Sequence, residues 1–154
     1  MAWIFELAIE CSHQRDVASS MREHFHGFMF RLTDGTAGVC LSRPEALTQD
    51  EDNSWWISIV PALSGGVLVR HSEHPRLIRE VSHVLYGRLK FISGYRFALA
   101  GIESTQFNTF HNLGSLLEHP EMQGLVLRDD VYALLGNATG FETCAPGYVW
   151  RPYV

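Results

Sequence analysis

Reduced to apolar and polar positions, the chain is clearest between residues 74 and 103. Leu77, Ile78, Val81, Val84 and Leu85 fall at i, i+1, i+4, i+7 and i+8, one stripe of an α-helix and a poor match to a strand. Pro75 suits the first turn, where its missing N–H costs nothing, with Ser72 or His74 as cap. Arg88 would fall in the middle of the apolar stripe, so the helix is expected to stop near Gly87. In the run 95–102 the odd positions start with Tyr95, Phe97 and Leu99, and the even ones after Arg96 are small or apolar. A strand with no polar face is covered on both sides. It is therefore expected to be central, with the helix across it and Val81 and Leu85 over Leu99.

The rest of the pattern is read from the N-terminus. Residues 3–10 alternate, with Trp3, Phe5, Leu7 and Ile9 on one face and Glu6 and Glu10 on a solvated one. Ser12 is placed to cap a helix carrying Val17, Ala18, Met21 and Phe25, closed by Gly27. Strands 28–32 and 37–41 flank Asp34-Gly35, a hairpin signal. A polar loop, 43–53, leads to a strand at 55–60 ended by Pro61, and Ser64-Gly65-Gly66 turns into residues 67–70. The tail from Ser104 is less regular. It offers a short helix at Leu113, Leu116 and Leu117, a small edge strand at 124–127, and a helix at 131–135 capped by Asp129 or Asp130. Residues 141–154, with Pro146, Gly147 and Pro152, read as extended coil with about two residues of pairing.

These elements predict an α+β fold, a mainly antiparallel sheet with two main helices on one face and an irregular C-terminal tail with short helices. The order contains β-α-β-β-α-β, so an elaborated ferredoxin-like sandwich is the specific expectation. With 154 residues and no linker or internal repeat, residues 1–154 are expected to form one domain, with 104–154 an extension packed on it.

Charge and composition narrow the function classes. A net charge of −5, with eleven arginines, one lysine and no basic stripe, gives a phosphate backbone little to bind, so nucleic acid is not expected as a partner. No run long and apolar enough to span a membrane occurs, and the acid at Glu6 interrupts the first apolar stretch, against a signal peptide. Cys11, Cys40 and Cys144 are odd in number and scattered, unlike a disulfide framework, so the cytoplasm is the expected compartment.

Catalytic signatures are sparse. The spaced histidines His24 and His26, and His71 and His74, have no partner motif to complete a metal site, and neither HExxH nor CxxC occurs. No metal or cofactor is expected. GxSxG and the glycine-rich phosphate loops are absent. Cys11 sits before the first helix, where a thiol pKa can fall, but it also ends an apolar strand and reads as a small core residue; Cys144 reads as exposed. Glu6 and Glu10, four residues apart on a strand, are about 13 Å apart by strand rise, too far for a glycosidase pair. Arg76, Arg79 and His83 line the outer face of the main helix and read as its wet side.

Two features point outward. From Glu45 to Asp52 there are four acids and no base: Glu45, Asp50, Glu51 and Asp52. They serve either solubility or the steering of a basic partner. Tyr148 and Trp150 are residue types enriched at interface hot spots, though they can equally pin the terminal segment to the domain. The expectation is therefore a small acidic protein-binding domain, not an enzyme. In concrete form it is an inhibitor or antitoxin-like immunity protein that blocks a basic protein partner. The alternatives are a small enzyme or metal-binding protein using the histidines, and a homodimeric sensor or adaptor.

Overall fold

The computed structural model describes residues 4–64, 66–67, 75–102, 110–118 and 123–152. It is an α+β protein, and the described strands form one ten-stranded sheet, antiparallel at every pairing. The strands are β1 (Phe5–Glu10), β2 (Met29–Arg31), β3 (Ala37–Leu41), β4 (Leu47–Gln49) and β5 (Trp55–Leu63), followed by β6 (Gly66–Val67), β7 (Phe97–Ile102), β8 (Val126–Arg128), β9 (Glu142–Ala145) and β10 (Tyr148–Trp150). The main path runs β2-β3-β5-β1-β7-β8-β10-β9, with β4 and β6 also paired to β5. The helices are α1 (Arg15–Phe25), α2 (Pro75–Leu89), α3 (Leu113–Leu117) and α4 (Asp129–Leu134), and Phe110–Asn112 form a 3-10 turn.

The two faces of the sheet carry separate apolar clusters. Phe5, Leu7 and Ile9 of β1, Ile57 and Ile59 of β5 and Ala98 and Ala100 of β7 join Ala18, Met21 and Phe25 of α1 and Ile78, Val81 and Leu85 of α2. The opposite face, expected to be solvated, gathers Ala8, Trp56, Phe97, Leu99, Leu125 and Leu127 with Leu113 of α3 and Val131 of α4. The tail therefore covers the side that the sequence left to water, and β7 is central and closed on both faces. Leu99 lies in this second cluster. What faces the α2 side is Ala98 and Ala100, whose small side chains let a helix backbone come close.

Several boundaries differ from the pattern, each for a physical reason. The helix α2 runs through Gly87 to Leu89 because Arg88 finds partners on the apolar side. Its Cζ lies 4.3 Å from the Phe28 ring centroid and its Nη2 donates to the His24 carbonyl at 2.9 Å. Ser12 does not cap α1. It is left-handed, with φ 57°, and its N–H donates to Glu10 Oε1 at 2.6 Å. β5 continues through Pro61. Opposite it, Cys40 spends its N–H on Phe28 O and its C=O on Gly27 N, both toward β2. Pro61 thus occupies a non-hydrogen-bonded pair with Cys40, where its missing N–H takes nothing from the β3 ladder.

The polar stretch 43–53 is not all loop: Pro44–Ala46 form a 3-10 turn and β4 pairs with β5. The expected edge strand at 124–127 is β8, internal, between β7 and β10. The expected terminal coil is the β9–β10 hairpin, turned at Gly147 with φ 84°. No side-chain cap bond starts α4; Asp130 instead pairs with Arg128 at 2.7 Å.

Candidate functional site

The acids singled out in the sequence divide between two tasks. Asp50 is the organising residue of the turn after β4. Its Oδ1 accepts from Asp52 N at 2.9 Å and Ser54 N at 3.0 Å, and its Oδ2 accepts from Trp56 Nε1 at 2.8 Å. A short carboxylate that bonds the backbone ahead of it fixes a turn without help from the sheet. Asn53 supplies the left-handed residue, φ 61°. Glu45 and Glu51 are exposed. Asp52 lies between these extremes: its Oδ1 is 3.3 Å from His111 Nε2, while its Oδ2 is enclosed without a hydrogen-bond partner. The His111 side chain is 75% exposed, so that pair adds at most about 1 kcal/mol.

Beneath the turn runs a polar seam that the sequence reading placed in water. Glu10 is 0% exposed and Glu6 7%. The tail laid over this face removes the solvent that alternation implied, and partners take its place. Arg96 Nε donates to Glu10 Oε1 at 2.9 Å, Arg96 Nη2 donates to Glu10 Oε2, and the Ser12 N–H completes Oε1. The same Nη2 lies 3.3 Å from Ser54 Oγ, and Phe110 covers the guanidinium with its ring centroid 3.7 Å from Cζ. Ser58 Oγ donates to Glu6 Oε2 at 2.5 Å. The bidentate Glu10–Arg96 pair thus joins the end of β1, the start of β5 and the approach to β7 to the tail. Both Glu10 oxygens are satisfied within the fold, so the pair reads as a clamp rather than an acid–base couple.

Tyr148 and Trp150 are used inside the protein. Tyr148 is 3% exposed, stacks on Tyr95 at 4.2 Å, donates to Tyr95 O at 2.8 Å and accepts from Gly94 N at 3.0 Å. Burial pushes its hydroxyl pKa up. Trp150 is half-buried against Tyr86, with Lys90 Nζ 5.8 Å from its ring centroid.

The reactive side chains do not converge. Burial, with Glu10 beside it, pushes the Cys11 thiol up to about 12, and burial does the same for Cys40. That is the reverse of an activated nucleophile. Cys144 is half-buried rather than exposed, and burial raises its thiol as well. His26 Nδ1 accepts from Ser42 N at 3.0 Å and His24 Nε2 lies 3.1 Å from Arg88 O. His71, His74 and Glu103 lie outside the described residues. Among the described residues no group of three or more His, Cys, Asp or Glu side chains is placed to hold a metal ion, and no helix is long and apolar enough to cross a membrane.

Sequence reasoning missed Glu10, Arg96 and the turn-holding role of Asp50. One signal was present: Arg96 is the single charge in the otherwise apolar run 95–102, which asks for a buried partner. No family model, characterised protein or solved structure matches this chain.

Proposed function

We propose that the chain is a cytoplasmic protein-binding module of the inhibitor or immunity type, and that it meets a basic protein partner through the acidic turn. The observation that carries this reading is the turn itself. Asp50 fixes the turn through two backbone N–H groups and the Trp56 indole, so Glu51 at its tip is presented on a preorganised loop at one end of β4, with the exposed Glu45 before the other end. Preorganised contacts lose less entropy on association than mobile ones. Repelling like charges contribute nothing to the fold, so their placement on a braced loop is better suited to steering. The buried thiols and the internally satisfied Glu10–Arg96 pair favour binding over catalysis.

We also read the elements β1-α1-β3-β5-α2-β7 as an elaborated ferredoxin-like sandwich. The strand order β3-β5-β1-β7 is what that arrangement requires.

The test starts from a partner recovered by co-purification from the native host. Association is then followed at low and moderate salt for the wild type and for Glu45→Lys/Glu51→Lys. Asp50 is left intact because the turn depends on it. Slower association of the variant, most marked at low salt, is the expected result. Equal association rates at low ionic strength would remove the turn from the contact.

A further inference from the structure

The acidic turn has a neighbour that gives the contact an apolar component. An open groove of about 330 Å³ lies between the first half of α1 and the segment before β7, lined by Asp16, Val17, Ser20, Met21, Ile92 and Ser93. This is the low end of the roughly 300–1,000 Å³ typical of ligand pockets, room for one or two side chains rather than an enclosed small molecule. Its floor is apolar and its rim is polar, the arrangement found at the centre of protein contacts. Asp16 is exposed in the first turn of α1 and has no ion pair among the described residues. The nearest base in sequence, Arg15, is drawn away over the Trp55 ring, 5.4 Å from its centroid.

Both walls lead directly to the turn. Just ahead of Asp16, His13 Nδ1 lies 3.0 Å from Asn53 O. Shortly after Ser93, Arg96 Nη2 reaches Ser54 Oγ at 3.3 Å. The groove and Glu51 therefore occupy the same end of the sheet, with Asp16 and Glu51 exposed there and Arg15 held over Trp55.

We infer that this groove is the anchor subsite of the proposed contact, and that it takes an aliphatic or aromatic side chain of a partner segment flanked by arginine or lysine. The inference rests on the protein-binding reading of the turn. The apolar side chain covers Val17 and Ile92 above the buried Met21, and the flanking cation faces Asp16. The single small apolar contact gives residence, and the acids give attraction.

The probe is an acetylated, amidated Arg-Leu-Phe-Arg peptide titrated into the full chain, followed by the methyl NMR signals of Met21 and Ile92. Saturable shifts at both methyls are expected, with Arg-Gly-Gly-Arg and Glu-Leu-Phe-Glu leaving them unmoved. Ser20→Tyr, an exposed helix position, fills the groove and weakens binding by about tenfold. Asp16→Asn weakens it about two- to fivefold. Thermal melts verify that both variants fold. Unmoved methyls, equal shifts with Arg-Gly-Gly-Arg, or undiminished binding by Ser20→Tyr overturn the inference. Shifts confined to the amides of Glu51 and Asp52 also overturn it, while leaving the turn as a contact. The turn fails on its own in the Glu45→Lys/Glu51→Lys association experiment.

Discussion

Replacing Arg96 by Met keeps much of the side-chain volume and removes the charge that Glu10 needs. In the wild type the Glu10 carboxylate is fully enclosed and accepts two bonds from Arg96 and one from the Ser12 N–H. Two charge-assisted bonds disappear in the variant, each worth about 1.5–3 kcal/mol. The backbone donor that remains cannot neutralise a buried anion. Breaking a buried pair by deleting one partner costs about 3–5 kcal/mol, and the lost Phe110 contact adds about 0.5–1 kcal/mol. Against a total of about 5–15 kcal/mol for a domain, the variant should lose a large share of its stability. Urea unfolding followed by tryptophan fluorescence reads the loss. The double variant Glu10→Leu/Arg96→Met should recover most of it, because no buried charge is left, only an unpaired Ser12 N–H at about 1–2 kcal/mol. Arg128→Met is the control: its pair with Asp130 is largely exposed and should be worth less than about 1 kcal/mol. If Arg96→Met cost no more than Arg128→Met, or if the double variant were as unstable as the single one, the clamp reading would be wrong.

Other outcomes follow from the same geometry. Leu85→Ala, at 0% exposure, should cost about 2–5 kcal/mol by thermal melting, whereas the exposed His83→Ala should cost under about 0.5 kcal/mol. Asp50→Ala should lower the melting temperature while Glu51→Lys does not, because only Asp50 satisfies donors of the fold; equal melting temperatures would refute the bracing role. Burial raises the thiols of Cys11 and Cys40 from 9.0 to about 12, so the folded state holds protons that the unfolded chain releases. Stability from this source is complete below pH 9 and lost as pH rises toward 12, so urea midpoints should fall across that window. Cys11→Ala/Cys40→Ala should flatten the fall.

The fold was legible wherever one period ran long enough to choose between alternatives. Val81 and Leu85 sit on a stripe five apolar positions long, and α2 formed there. The hairpin at Asp34-Gly35 formed, with β3 at its expected bounds and β2 one residue shorter at each end than expected. The misread ends have a common origin, which is that local rules treat each residue as if it met only solvent. Arg88 was expected to end the helix, yet Phe28, more than fifty residues away, offers it a ring. Pro61 was expected to end the strand, but a strand tolerates proline where its neighbour does not ask for its N–H, and Cys40 opposite spends both backbone groups toward β2.

The hidden part of the site has the same cause at larger scale. Alternation along β1 sorts side chains onto two faces, and it does so correctly: Phe5, Leu7 and Ile9 part from Glu6, Ala8 and Glu10. It does not say what lies above a face. Two acids on one side imply water only if nothing else arrives, and here the tail brings Phe110, Leu113 and Val131 onto that side. Once covered, a carboxylate must find donors within the fold or cost several kcal/mol, so the burial of Glu10 and the charge of Arg96 require one another. Acids at a turn that nothing covers face no such demand, which is why Glu45 and Glu51 remain in solvent while Asp50, one residue from Glu51, is consumed by the backbone. The division between structural and available charge is thus set by cover, and among the acids left available are Glu51 at the turn, Glu45 before β4 and Asp16 at the start of α1.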